Sequence, residues 1–258
     1  MNLFWIKNKP VYGLAMTSKK TRFGISMGEV AGTLLLLLSF LAPAQPVAAA
    51  VNSARVTQVI QDVKLIISNA APRPAAVNDD VREGVAVRTG PDSRTELTFT
   101  DQTLTRLGAN SVFSFNAGAR AFDLGQGSIL MQVPPNGSSV KAKTAAVTAA
   151  ITGGTAIFGV GPPVKFMVLE GTGTFYPNGH PEEAVTLHGG EMVTLTADGH
   201  VSAVQTFNVK LVLESSELIV PFPDLANLPL ILQVIQQQEA EFLSENNSNP
   251  PPQDYTDI

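Results

Sequence analysis

From Val51 to about Thr206 apolar side chains recur at every second position in short runs bounded by Gly, Pro, Asp or Asn. In "GVAVRT" (84–89) Val85 and Val87 share one face and Arg88 takes the other, and in "TELTFT" (95–100) Leu97 and Phe99 oppose Glu96 and Thr98. "GPDS" (90–93) and "TDQT" (100–103) supply turn chemistry between such runs. The same phrasing continues through "AFDLGQGSILMQVP" (121–134), "AAITGGTAIFGVG" (149–161), "VKFMVLEGTGTFYP" (164–177) and "AVTLHGGEMVTLTADG" (184–199). No helical periodicity intervenes and no fixed repeat length survives counting. The pattern predicts an all-β fold, an antiparallel β-sandwich or β-roll of about 10–14 short strands, with Gly153 and Gly154 placed for a bulge or tight bend.

The last third changes character. Residues 208–229 read as a strand and a Pro-rich linker, "LILQVIQQQEAEFLSE" (230–245) as an amphipathic helix, and 246–258 as a disordered tail too polar and Pro-rich to pack. Leu230, Ile231, Val234, Ile235 and Phe242, with Leu243, form one apolar stripe at helical spacing. Such a stripe packs on the chain's own β core or on a partner, so those first five residues are the candidate partner contacts.

Residues 1–50 read as a signal peptide. Lys19, Lys20 and Arg22 precede "VAGTLLLLLSFLA" (30–42), small residues follow in "AQPVAAA" (44–50), and Met16 is a possible start. The apolar run is shorter than the roughly 20 residues that span a bilayer, so no stable membrane span is expected after cleavage; retention as an anchor is the alternative. The label removes five basic residues and one acidic one, leaving the exported part more acidic than the whole-chain charge of −5. That balance speaks against nucleic acid as a partner. The chain has no Cys, which excludes disulfides, thiolate chemistry and a lipidated N-terminal Cys.

Candidate chemistry is sparse. Arg88, Asp92, Arg94, Glu96, Asp101 and Arg106 crowd one span, but those on strands fall opposite apolar positions, where a half-buried sheet carries its solvent face. His180, Glu182 and Glu183, with His188 and Glu191 beyond, offer imidazole and carboxylate groups without a fixed ligand spacing. They read as a polar connection, and His200 as an isolated turn residue, so no metal or cofactor is assigned. Neither a G-x-S-x-G elbow nor a P-loop occurs, and no catalytic residue is assigned.

Six stretches in order, "EGVAVRTG", "DQTLTRL", "LGQGSILMQV", "TAAITGGTAIFGV", "VLEGTG" and "GGE", resemble the FecR domain across roughly residues 77–199. Gln102 stands where that pattern has Gly. The resemblance implies an envelope-facing, all-β, non-enzymatic domain over 51–207, lying in the family's regulators on the periplasmic side. It points to a periplasmic or secreted binding or scaffold module, with a connection to signalling, that recognises an envelope protein or glycan through its β surface. The alternative is an envelope hydrolase using a carboxylate pair, such as Glu170 with Glu191 or Asp101. For surface recognition the aromatic candidates are Phe113, Phe115, Phe175 and Tyr176, each of which also suits a core.

Overall fold

Alternating side chains fold into strands from Ser53 onward in the computed structural model, which describes residues 53–248. The expected signal segment and the tail beyond Ser248 lie outside the described residues. The strands are β1 (Ser53–Ile60), β2 (Val63–Ile67), β3 (Arg73–Pro74), β4 (Asp80–Arg82), β5 (Val85–Thr89), β6 (Arg94–Phe99), β7 (Leu104–Leu107) and β8 (Val112–Asn116). There follow β9 (Ala121–Val133), β10 (Val140–Lys143), β11 (Val147–Val160), β12 (Lys165–Pro177), β13 (Val185–His188), β14 (Glu191–Thr194) and β15 (Gln205–Thr206). Two α-helices close the described chain, α1 (Val209–Ser215) and α2 (Leu228–Ser248). The fold is all-β, as the alternation predicts. All pairs within the 15-stranded sheet are antiparallel except β9 with β10.

The long strands β9, β11 and β12 change neighbours midway, which folds the sheet over one core. The first half of β9 pairs with β8 and its second half with β7 and β11. Likewise β12 meets β14 through Lys165–Val168 and β13 through Thr172–Phe175. Inside the fold Phe99, Phe113, Phe115 and Phe122 form one aromatic group, with ring centroids 4.8 Å apart for Phe99 and Phe122. Phe158, Phe166 and Phe175 form a second. Phe113, Phe115 and Phe175 are therefore core residues and Tyr176 is half-buried, so these aromatics do not make an exposed patch.

The centre of the sheet is buried on its other face too. One row of paired residues crosses six strands from Gln58 through Glu96, Arg106, Leu130 and Ile157 to Met167. Its neighbours along each strand, such as Ile129, Met131, Ala156 and Phe158, point inward. Leu130 and Leu169 on this outer face join Val209, Leu218, Leu225, Ile231 and Ile235 in a second apolar cluster, partly lined by Ile157. The C-terminal segment is thus a lid on the sheet. Each such side chain contributes about 1.5–3 kcal/mol on burial.

The segment from 208 departs from the expected strand and linker. Val209, Leu211 and Leu213 alternate like a strand, but the Asn208 side chain accepts from the Leu211 N–H at 2.9 Å and starts α1 as an N-cap. Val209 is buried, with Val212 and Leu213 packed against the same cluster at helical spacing. The second helix begins two residues earlier than expected, at Leu228, with Pro229 in its first turn, where a missing N–H costs nothing.

Polar anchors hold this lid, and they correct the solvent-face reading of the charged span. Arg106 is 0% exposed and Glu96 is buried beside it, Nε to Oε2 at 2.9 Å. The guanidinium also donates to the main-chain carbonyls of Pro223 at 2.6 Å and Leu218 at 3.3 Å, and lies 4.6 Å from the centre of the Phe222 ring. Thr57 donates its hydroxyl to Glu96 Oε1 at 2.8 Å, and Arg94 pairs with Glu217. Desolvation lowers the Arg106 pKa against the opposing hydrogen bond that it donates to Glu96, yet a guanidinium stays a cation in this setting. Of those six residues only Arg88 and Asp92 are exposed; Asp101 accepts from the Arg120 guanidinium at 2.7 Å and from the Thr103 N–H at 3.0 Å.

Replacing Arg106 strands a buried carboxylate. Arg106→Met is expected to cost about 3–5 kcal/mol in urea unfolding, and Arg106→Met with Glu96→Leu to recover most of it. A single-variant loss under about 1 kcal/mol, the range of an exposed pair, would contradict this arrangement.

Candidate functional site

A second anchor lies on the same outer face. Residues Thr155 and Glu170 pair, while Ala156 pairs with Val168, so Leu169 is an extra residue and β12 bulges there. The bulge turns both Leu169 and Glu170 outward, where strict alternation would have sent Glu170 into the core. Backbones approach closely at this point: a Cβ on Gly154 would sit 2.5 Å from the Glu170 carbonyl oxygen, and one on Gly171 2.4 Å from that of Gly153. Gly153 and Gly171 also have φ of +58° and +85°, so the bend predicted at Gly153 and Gly154 needs glycine on both strands.

Glu170 Oε1 accepts from the Thr155 hydroxyl and from Asn227 Nδ2, both at 2.8 Å. Asn227 immediately precedes α2, and its main-chain carbonyl accepts from the Ile231 N–H at 3.1 Å. Glu170 therefore fixes where the helix starts. Burial raises its pKa above the ordinary carboxylate range, against the two hydrogen bonds.

The carboxylates of the hydrolase alternative serve separate structural duties. Glu170 is covered by Asn227, Asp101 pairs with Arg120, and Glu191 Oε2 accepts from the His188 N–H at 2.7 Å. Glu191 faces the same side as its pairing partner Val168, from which the bulge turns Glu170 away.

Beside the anchors, α1 and α2 enclose a groove of about 600 Å³, lined by Phe207, Lys210, Ile235, Glu239, Phe242 and Leu243 among others. Gln238 fixes its floor, accepting from the Val209 N–H at 3.2 Å and donating to the Phe207 carbonyl at 2.8 Å. Lys210 and Glu239 close one rim with a 3.2 Å ion pair. The five candidate contacts separate here. Ile231 and Ile235 are buried against the chain's own Leu130 and Leu169, which removes them from any external surface, and Val234 is half-buried beside them. Leu230 and Phe242 are exposed, Phe242 at 65%, as is Leu243 at 67%.

A different group gathers where the β12–β13 and β14–β15 connections meet. His180 Nδ1 lies 3.0 Å from Glu182 Oε1, and His200 Nδ1 lies 3.3 Å from Glu183 Oε2. His200 is thus joined to the histidine loop, which sequence reading missed because 20 residues separate the two imidazoles in the chain. His188 and Glu191 do not belong to this group: Glu191 bonds the His188 backbone within its own hairpin.

Residues 85–172 match the family described as FecR protein, within the 77–199 span of the resemblance. In the β6–β7 turn Gln102 takes φ of 67°, a left-handed conformation that accounts for glycine in the family pattern. Two crystal structures of a "putative anti-sigma factor" from Parabacteroides distasonis ATCC 8503, at 1.65 and 2.50 Å, are each 15% identical with a TM-score of 0.43. They cover 49% and 50% of this chain, which in turn spans 62% and 64% of theirs, under two thirds of either. No curated protein matches the chain. Among the described residues no helix is long and apolar enough to cross a membrane.

Two substitutions separate core from surface along the stripe. Ile231→Ala is expected to lower unfolding free energy by about 2–5 kcal/mol, and Leu243→Ser to stay within about 0.5 kcal/mol. Equal losses would mean that the exposed end is also structural. For Glu170 the sign follows from its raised folded pKa: its full contribution is present below the unfolded value, near 4.3, and is lost as pH rises through the folded one. Glu170→Gln keeps an oxygen for Thr155 and Asn227, so the variant should gain on the wild type as pH is raised from 4 to 8 in paired thermal melts. A pH-independent difference would contradict the burial of this charge.

Proposed function

We propose that this chain, which carries a FecR domain over residues 85–172, is an exported, non-enzymatic binding module of the bacterial envelope that takes part in signalling. It engages a protein partner through the groove between α1 and α2. The FecR match supports the regulatory envelope setting, and the basic, apolar and small-residue order of residues 19–50 supports export.

The groove is the observation that carries the reading. Its volume suits one or two large apolar side chains, and its wall is mostly apolar, with Leu243 and Phe242 at one end and the Lys210–Glu239 pair at the rim. A glycan would need polar partners, whereas Asn208, Gln238, Lys210 and Glu239 of this wall are engaged within the chain, so an apolar-anchored protein segment fits better. Strand addition is disfavoured, since the end strands of the sheet path, β4 and β15, have three and two residues. The β surface expected to recognise a partner is occupied over its centre by the C-terminal segment.

Site-specific crosslinking tests this. A benzoylphenylalanine in place of Leu243, expressed in the native host, should give one discrete envelope adduct that disappears when Phe242→Asp is added. The same probe at Val77, which is 52% exposed on another loop, should not give it. Identical adducts from both positions, or a protein confined to the cytoplasm, would overturn the proposal.

A further inference from the structure

The geometry points to a divalent transition-metal site, of the kind that takes Zn2+, built by His180, Glu182 and Glu183 and completed by His200. Three ligand atoms, one from each of the first three residues, lie within 4.8 Å of one another. Individual separations are 3.0 Å for His180 Nδ1 to Glu182 Oε1 and 3.9 Å to Glu183 Oε1. Ligand atoms around a tetrahedral zinc ion with bonds of about 2.1 Å stand about 3.4 Å apart, so this spread is close to what a cation requires.

The local chain sets the group in place. Pro181 opens the 3-10 turn Pro181–Glu183, which brings both carboxylates around beside the preceding imidazole. His180 occupies the cap position of that turn but makes no capping hydrogen bond, which leaves its ring to the carboxylates. On the facing connection Thr196 shapes the turn that carries His200: its hydroxyl donates to the His200 carbonyl at 2.8 Å and accepts from the His200 N–H at 3.1 Å. His200 Nδ1 then meets the second oxygen of Glu183, 3.3 Å away. It serves as a fourth ligand or holds that carboxylate in place from behind, an outer role that commonly tunes affinity.

Charge and chemistry select the ion. Two carboxylates and two neutral imidazoles give a set of charge −2 that a divalent cation balances. Imidazole favours zinc and its neighbours over Mg2+, which prefers oxygen ligands alone. A bound ion would tie the connection after β12 to the one after β14 at one end of the sheet.

The test is titration of the purified full chain with ZnCl2 in a calorimeter, with MgCl2 as comparator. One Zn2+ per chain is expected, and no Mg2+ binding. His180→Ala and Glu183→Gln should each weaken Zn2+ binding by about tenfold or more, and His200→Ala by a smaller factor. His188→Ala, an exposed histidine outside the group, should change nothing. All four positions are exposed or half-buried, so an unchanged melting temperature without metal confirms intact folding. Absent Zn2+ binding, equal binding by His180→Ala, loss in His188→Ala, or Mg2+ binding as tight as Zn2+ would each overturn the site.

Discussion

A cation buried on the outer face of a β-sheet needs a counter-charge and a roof, and Arg106 has both. Glu96, one strand away, supplies the first, and carbonyls at Leu218 and Pro223, 112 and 117 residues further along, supply the second. Without the C-terminal segment the pair would lie in water and be worth little. With it, the pair becomes costly to leave incomplete, which couples the register of β6 and β7 to the docking of everything after β15. Apolar burial at Leu218, Ile231 and Ile235 provides driving force, whereas the hydrogen bonds decide where along the sheet that force acts.

Glu170 repeats the device with different chemistry. It presents a carboxyl group to an amide and a hydroxyl, and a bulge rather than regular alternation brings it to the outer face. Between them the two anchors set the linker and the first turn of α2, the helix that carries one wall of the groove. The placement of that wall therefore depends on residues near both ends of the FecR-matched region.

Much of the fold is legible because strand alternation is a local property. Leu97 and Phe99 against Glu96 and Thr98 suffice to identify β6, and the stripe from Leu230 to Leu243 suffices to identify α2. What sequence reading lost was the second buried face. "SILMQV" in β9 and "KFMVL" in β12 are runs without alternation, the mark of strands covered on both sides, and they predict a lid over Leu130 and Leu169. With that lid foreseen, Arg106 and Glu96 could not have been read as solvent-facing. The meeting of His180 with His200 has no comparable signal, since it arises from two connections that approach only after β12 and β14 pair.

Arg106 grips main-chain oxygens rather than side chains. Any residue can present a carbonyl, so these two contacts hold the stretch from Leu218 to Pro223 by its path, while Leu218, Ile219 and Phe222 hold it by their apolar side chains. Such a clasp leaves the lettering of the strap free to drift at exposed positions such as Val220 and Pro221 while its course stays put.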